Sequence, residues 1–188
     1  MAEVQIRKAQ RHDAFAMAKV RVSTWRATYQ GIVSDDFLAS LSVENVTERW
    51  TKAFWDEQHP GVGVFVAEGE HDEIVGIAIC GPEQTHDAIY QSEIYILYVL
   101  PAYQDQGIGR KLVTACVEHL IGQLGVRTML IWVLAENPYR RFYESLGGKP
   151  VREQTKDIGG KPLSEVGYGW KNIQHLRDKL HGTLPSIE

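Results

Sequence analysis

Cysteine is scarce in this chain. Among 188 residues there are two, Cys80 and Cys116, each inside an apolar run and neither at the spacing of a metal ligand. That excludes a disulfide-built scaffold and predicts two reduced, buried thiols in a reducing compartment. Long hydrophobic runs are also missing. No stretch reaches the roughly 18 apolar residues a membrane span needs. Met1 to Gln10 has neither an apolar signal core nor a basic amphipathic transit pattern, so a cytoplasmic protein with no membrane partner is expected. Positive charge has no excess: 20 Lys and Arg stand against 24 Asp and Glu, for a formal net charge of −4. Such a surface offers a phosphate backbone no general attraction, which argues against nucleic acid as a partner. The acidic balance suits a cationic amine, although it is equally that of an ordinary soluble protein. The seven histidines are scattered, and without clustering no metal is expected.

What is present is an ordinary globular composition, 44% hydrophobic and 23% charged, with no repeat, low-complexity tract or linker to divide it. Val4 to Arg7 alternates like a strand. Asp13 then precedes a helical pattern through Met17, Val20, Val22, Trp25 and Tyr29. Ser34 supplies an N-cap for Asp35 to Leu41, and a further helix, from Ser42 or Glu44 to Trp55, carries Val46, Trp50 and Phe54 on one face. Val62 to Ala67 and Ile74 to Cys80 read as a hairpin around Glu68 to Glu73. Glu93 to Leu100 is a nearly all-apolar strand ending at Pro101. Ile108 to Leu124 has a helical apolar stripe stopped by Gly125. Thr128 to Leu134 is a buried strand, Pro138 to Leu146 a short helix, and Val151 to Ile158 with Glu165 to Trp170 a closing hairpin around Gly159 and Gly160. This order predicts an α/β (α+β) fold with a mixed central sheet of about seven strands and helices on both faces. Residues 1–170 form the domain and 171–188 a C-terminal tail with a short helix over Ile173 to Leu180.

The chemistry concentrates where strand Glu93 to Leu100 turns into helix Ile108 to Leu124. Glycines at 107 and 109 permit close backbone approach, and the first helical turn offers unpaired N–H donors with the positive end of the helix dipole behind them. With Arg110 and Lys111 alongside, such a turn can hold a pyrophosphate. Position 112 is Leu, so Gly-x-Gly-x-x-Gly is not completed, and the Gly-Lys-Ser/Thr of a P-loop is absent. An enzyme of ATP is thereby disfavoured.

The full set is Leu97-Tyr98-Val99, then Gln104-x-x-Gly107-x-Gly109, then Asn137-Pro138 and Phe142-Tyr143-Glu144-Ser145-Leu146-Gly147. In that combination the chain resembles the GNAT superfamily of N-acetyltransferases, over roughly Val4 to Trp170. The resemblance implies acetyl-CoA as donor substrate and acetyl transfer to a primary amine, a small molecule or peptide, by direct attack in a ternary complex. It makes the backbone of Gln104, Asp105, Gln106, Gly107, Ile108, Gly109, Arg110 and Lys111 the pyrophosphate cradle. The backbone of Leu97, Tyr98 and Val99 becomes the partner of the pantetheine amides by strand addition. Asn137 matches the Asn that hydrogen-bonds the pantetheine arm, and Tyr143 the Tyr that protonates the departing thiolate. Glu93, fourteen positions before Gly107, matches the general-base glutamate of the histone acetyltransferase branch. The N–H of Val99 is placed for oxyanion stabilisation.

For the acceptor wall the resemblance points to Trp25 and Tyr29, which at i, i+4 could instead be core. His86 is an alternative proton acceptor. Gly148 replaces the aromatic usual after the glycine of the Tyr-bearing helix, which predicts a less packed start to the next strand. Two copies could pair through Val166 to Trp170, or Trp170 could close its own core. The competing class is a CoA-binding regulatory or partner module without catalysis.

Overall fold

The computed structural model describes residues 4–57 and 59–182; the end of the predicted tail, residues 183–188, lies outside them. Seven strands form one sheet in the order β1-β2-β3-β4-β5-β7-β6. They are β1 (Gln5–Lys8), β2 (Gly63–Glu68), β3 (Ile74–Pro82), β4 (Ser92–Val99), β5 (Met129–Leu134), β6 (Lys149–Ile158) and β7 (Lys161–Trp170). All neighbours are antiparallel except β4 and β5. Among the described residues six α-helices accompany them: α1 (Ala14–Thr28), α2 (Asp35–Ser40), α3 (Val43–Thr51), α4 (Ile108–Leu124), α5 (Arg140–Ser145) and α6 (Ile173–Leu180).

The apolar stripes read from the sequence decide which face each helix covers. Leu112, Val113, Cys116, Val117 and Leu120 of α4 are buried with Ile94, Leu97, Ile131, Val133, Tyr168 and Trp170 of the strands, and Ile173 and Leu176 of α6 join the same cluster. Met17, Val20 and Val22 of α1 and Val46 and Trp50 of α3 pack on the opposite face against Ile77, Ile79 and Tyr98. A third cluster, with Tyr29, Leu38, Leu134 and Leu163, closes the far end of the α1 face. Cys80 and Cys116 are buried free thiols. Ser34 caps α2 by accepting from the Phe37 amide, as its position predicts, and Ser42 caps α3.

Two local readings change. The helix expected to run to Trp55 ends as an α-helix at Thr51 and continues as a wider π turn over Lys52–Asp56. The backbone at Gly148 is not loosely packed, although Lys149 and Pro150 after it are exposed. A Cβ at Gly148 would lie 2.5 Å from Cζ2 of Trp170, whose indole, 5% exposed, packs against the glycine and donates to Leu146 O at 3.1 Å. Trp170 thus closes its own core. Gly148→Ala should cost about 1–3 kcal/mol by overpacking against this ring, read as a Tm lowered by several degrees in a thermal melt. An unchanged Tm would show that Trp170 is free to move.

Candidate active site

Strands β4 and β5 pair only at Ser92 with Met129 and Glu93 with Leu130, and then part. Past that point β4 keeps β3 as its partner. Leu100 N donates to Val75 O at 2.9 Å, and Gly76 lies opposite Val99. Antiparallel alternation therefore turns the amide groups of Tyr98 toward β3 and those of Leu97 and Val99 into the gap beside β5. The gap opens into a cleft of about 800 Å³ lined by β4, β5, the α4 turn and α1.

At one end of the cleft lies the start of α4. Gly107 precedes the helix with φ +78° and Asp105 has φ +58°, so the chain makes a left-handed turn that leaves the first amides of the helix without side-chain caps. By helix geometry the N–H groups of Ile108, Gly109 and Arg110 have no intrahelical acceptor. Gly109 is needed for another reason: Cζ of Phe142 sits 3.2 Å from where its Cβ would be. Gln104 Nε2 donates to Val99 O at 3.0 Å and ties the turn to the strand end.

Not every residue of the predicted cradle reaches the cleft. The Lys111 amide is already bonded to Gly107 O at 3.1 Å and its Nζ to Val4 O at 3.3 Å, on the β1 side of α4. Gln106 turns its side chain to Ala102 O. Arg110 lines the cleft while its Nη2 donates to Lys179 O at 3.0 Å. His86 is exposed on the loop before β4 and is not among the residues lining the cleft, which removes it as a proton acceptor there.

Tyr143 and Glu93 both line the cleft. Tyr143, 8% exposed, stacks on Tyr168 at 5.8 Å and meets Phe142 edge-on at 5.3 Å. Arg140 Nε donates to the Tyr168 hydroxyl, which donates to Glu144 Oε1, so α5 is anchored beneath Tyr143. Burial pushes the Tyr143 phenol further above its ordinary range, helped by the neighbouring Tyr98 and Tyr168. Glu93 is 8% exposed, and its Oε2 is buried with no hydrogen-bond partner. Burial pushes its carboxyl up to about 7; Glu83 and Glu165 add to the rise, while the Gln84 backbone amide and Lys156 oppose it. Glu93 and Ile94 are adjacent on β4, and Ile94 packs on α4, so Glu93 faces α1.

That face carries the predicted acceptor wall. Trp25 and Tyr29, 4.8 Å apart, both line the cleft. Trp25 Nε1 donates to the Tyr98 hydroxyl at 2.8 Å, and Asn137 Nδ2 donates to the Tyr29 hydroxyl at 3.0 Å while Asn137 Oδ1 accepts from the Tyr139 amide. The two aromatics thus serve packing and cleft at once, and Asn137 links the α5 loop to α1. Among the described residues no group of His, Cys, Asp and Glu is placed to hold a metal ion, and no helix is long and apolar enough to cross a membrane.

The family profile described as acetyltransferase (GNAT) domain matches residues 60–147, which span the whole β4–α4 turn. Uncharacterized N-acetyltransferase YuaI of Bacillus subtilis (strain 168) is 35% identical over 178 residues, covering 95% of this chain and 99% of that protein. The chain belongs to the GNAT family of N-acetyltransferases. In fold the acetyltransferase is similar to PaiA N-acetyltransferase of Thermoplasma acidophilum in complex with coenzyme A, with TM-score 0.62, 21% identity, and coverage of 87% of this chain and 98% of that one. It is likewise similar to YncA of Salmonella typhimurium with acetyl-CoA, with TM-score 0.66, 24% identity, and coverage of 89% and 93%.

Sequence reasoning missed part of the acetyltransferase's cleft. Four buried side-chain polar atoms have no partner among the described residues: Arg21 Nε, Thr24 Oγ1, Glu93 Oε2 and Trp132 Nε1. All four residues line this one cleft. Buried polar atoms are nearly always hydrogen-bonded, so four such atoms bordering one cleft set it apart from the rest of the described chain. Arg21 was legible in principle, since it lies four residues before Trp25 on the inward stripe of α1. Thr24 and Trp132 carried no sequence signal beyond apolar neighbours.

Proposed function

We propose that the acetyltransferase takes acetyl-CoA as donor and acetylates a primary amine by direct attack while both are bound. The observation that carries this reading is the convergence on one cleft of Glu93, with a free carboxylate oxygen, and Tyr143, whose hydroxyl makes no hydrogen bond among the described residues. The donor fits the chain's own groups. The uncapped amides of Ile108 to Arg110 offer donors to a pyrophosphate at the positive end of α4. The inward-facing amides of Leu97 and Val99 can pair with the pantetheine arm as an added strand would, with Asn137 at the opposite lip.

In the reaction the acceptor arrives as an ammonium ion and cannot attack until a proton leaves. Glu93, with its carboxyl near neutrality, accepts that proton through water, since six strand positions separate it from Val99. The amine nitrogen then bonds to the thioester carbonyl carbon, and the oxygen that gains charge is met by the Val99 N–H. As the C–S bond breaks, the sulfur leaves as a thiolate and takes the Tyr143 proton; the second proton, shed by the nitrogen as it becomes an amide, restores the phenol, and the proton on Glu93 passes to solvent. A phenol with a raised pKa is fully protonated at every working pH. A catalytic enzyme is favoured over a binding module because a base and an acid candidate both face an open cleft.

We place the reaction in the cytoplasm, where Cys80 and Cys116 stay reduced. A dimer formed through the carboxyl-terminal strands would use the edge strand β6, since Val166 to Trp170 lie between β5 and β6. Titration calorimetry tests the donor assignment. One acetyl-CoA should bind per chain, with CoA competing and ATP competing far less. Equal competition by ATP would overturn it.

A further inference from the structure

Arg21 is a cation drawn into the cleft that nothing else in the described chain neutralises. It makes no hydrogen bond and no ion pair, and its Nε is buried. Its guanidinium lies instead 5.3 Å from the ring of Trp25 and 5.8 Å from that of Trp50, held in position by two aromatic faces. Other arginines of the fold are paired: Arg7 with Asp13 and Glu68, Arg152 with Asp87, Arg140 with Tyr168 and Ala135. Burial destabilises the charged form of Arg21, and the nearby Arg49 adds to this, while Tyr98 and Tyr29 oppose it. An unpaired buried charge is costly, and an arriving anion relieves the cost. Thr24 follows at i+3 on the same helix, 5% exposed, with its hydroxyl also unpartnered.

These groups do not belong to the donor. Both lie on α1, which packs on the face of the sheet opposite α4, whereas the donor phosphates fit the α4 turn. Glu93 faces the α1 side too. The geometry points to Arg21 and Thr24 as the receptor for an anionic group of the acceptor: the amine acetylated in this cleft carries a carboxylate, as an amino-acid-like zwitterion does. Guanidinium and hydroxyl together match a carboxylate's two oxygens. The other charges on this face fit that reading. Glu165 already accepts from Gln154 Nε2 at 2.8 Å and Asp157 from the Gly160 amide at 3.0 Å, while Lys156 adds a second cation to the lining. A polyamine would bring further cations against Arg21 and Lys156. This inference rests on the amine acetylation proposed above.

The test is steady-state kinetics with a panel of α-amino acids, the corresponding amino-acid amides, and spermidine. With wild-type enzyme the acid form of the preferred acceptor should exceed its amide in kcat/KM by about 100-fold. Arg21→Gln should raise KM for the acid by a similar factor, change kcat little, remove the preference for acid over amide, and leave acetyl-CoA affinity unchanged. Arg21→Lys should restore part of the preference. A wild-type preference for amides or spermidine would overturn the inference while leaving amine acetylation intact, as would an Arg21→Gln effect equal on acid and amide. Weakened acetyl-CoA binding in Arg21→Gln would do the same by assigning Arg21 to the donor. Should the variant fail to fold, the acid-against-amide comparison on wild-type enzyme decides alone. Failure to acetylate any amine would remove the underlying reading, and this one with it.

Discussion

Replacing Glu93 by glutamine is expected to lower kcat by about 100-fold or more, within the range a positioned general base contributes. The same change should abolish the rise of rate with pH that wild-type enzyme shows through about 7, the value to which burial pushes this carboxyl. The direction follows from the roles. Below that pH Glu93 holds its proton and cannot take another from the ammonium, so kcat/KM climbs as pH rises. Lys156, Glu83, Glu165 and the Gln84 amide set where the climb occurs. If Glu93→Gln retained both the rate and the ascending limb, the base would be elsewhere.

The same residue links activity to stability. A carboxyl whose folded pKa lies above its unfolded value binds more protons in the native state, so stability falls as pH rises from the ordinary carboxyl range to about 7. Above pH 7 the ionised Glu93, with one oxygen unpartnered, should cost about 3 kcal/mol. Glu93→Gln should therefore melt several degrees higher than wild type at pH 8 and close to it at pH 4. An active-site residue whose removal stabilises the fold while stopping catalysis is what a buried base predicts.

Tyr143→Phe is expected to lower kcat roughly 10- to 100-fold and to leave acetyl-CoA affinity within about twofold, the loss being confined to the step in which sulfur departs. The effect should be smaller than that of Glu93. A thiolate is less basic than the phenolate of a buried tyrosine, so much of the benefit is a hydrogen bond to developing charge. The ring itself stays in place, since its stacking on Tyr168 and edge contact with Phe142 do not use the hydroxyl. Loss of acetyl-CoA binding with an unchanged melt would assign Tyr143 to the donor's grip.

The sheet and its helices could be read from periodicity because each stripe had one face to bury. Leu112, Val113, Cys116, Val117 and Leu120 specify α4, and the bounds fall where Gly107 and Gly125 adopt left-handed backbone. The donor turn was legible for the same reason, as close approach and positive φ each demand glycine. Side-chain direction was not. Lys111 stands beside Arg110 in the sequence, yet the 100° step between successive helical residues sends it to the β1 side. The packing at Gly148 depends on Trp170, which is distant in sequence and adjacent only through the β6–β7 pairing. Arg21 shows the reverse case. It is a charged residue on an apolar stripe, whose meaning emerges when the rings of Trp25 and Trp50, from two helices, are seen beside it.

The most direct measurement is acetyl transfer itself: acetyl-CoA incubated with the enzyme and a panel of amines, thiol release followed continuously and the acetylated amine identified by mass spectrometry. The account predicts release above the hydrolysis background with at least one amine, matched by amide product and lost in Glu93→Gln. Tight acetyl-CoA binding with no product from any amine would contradict it.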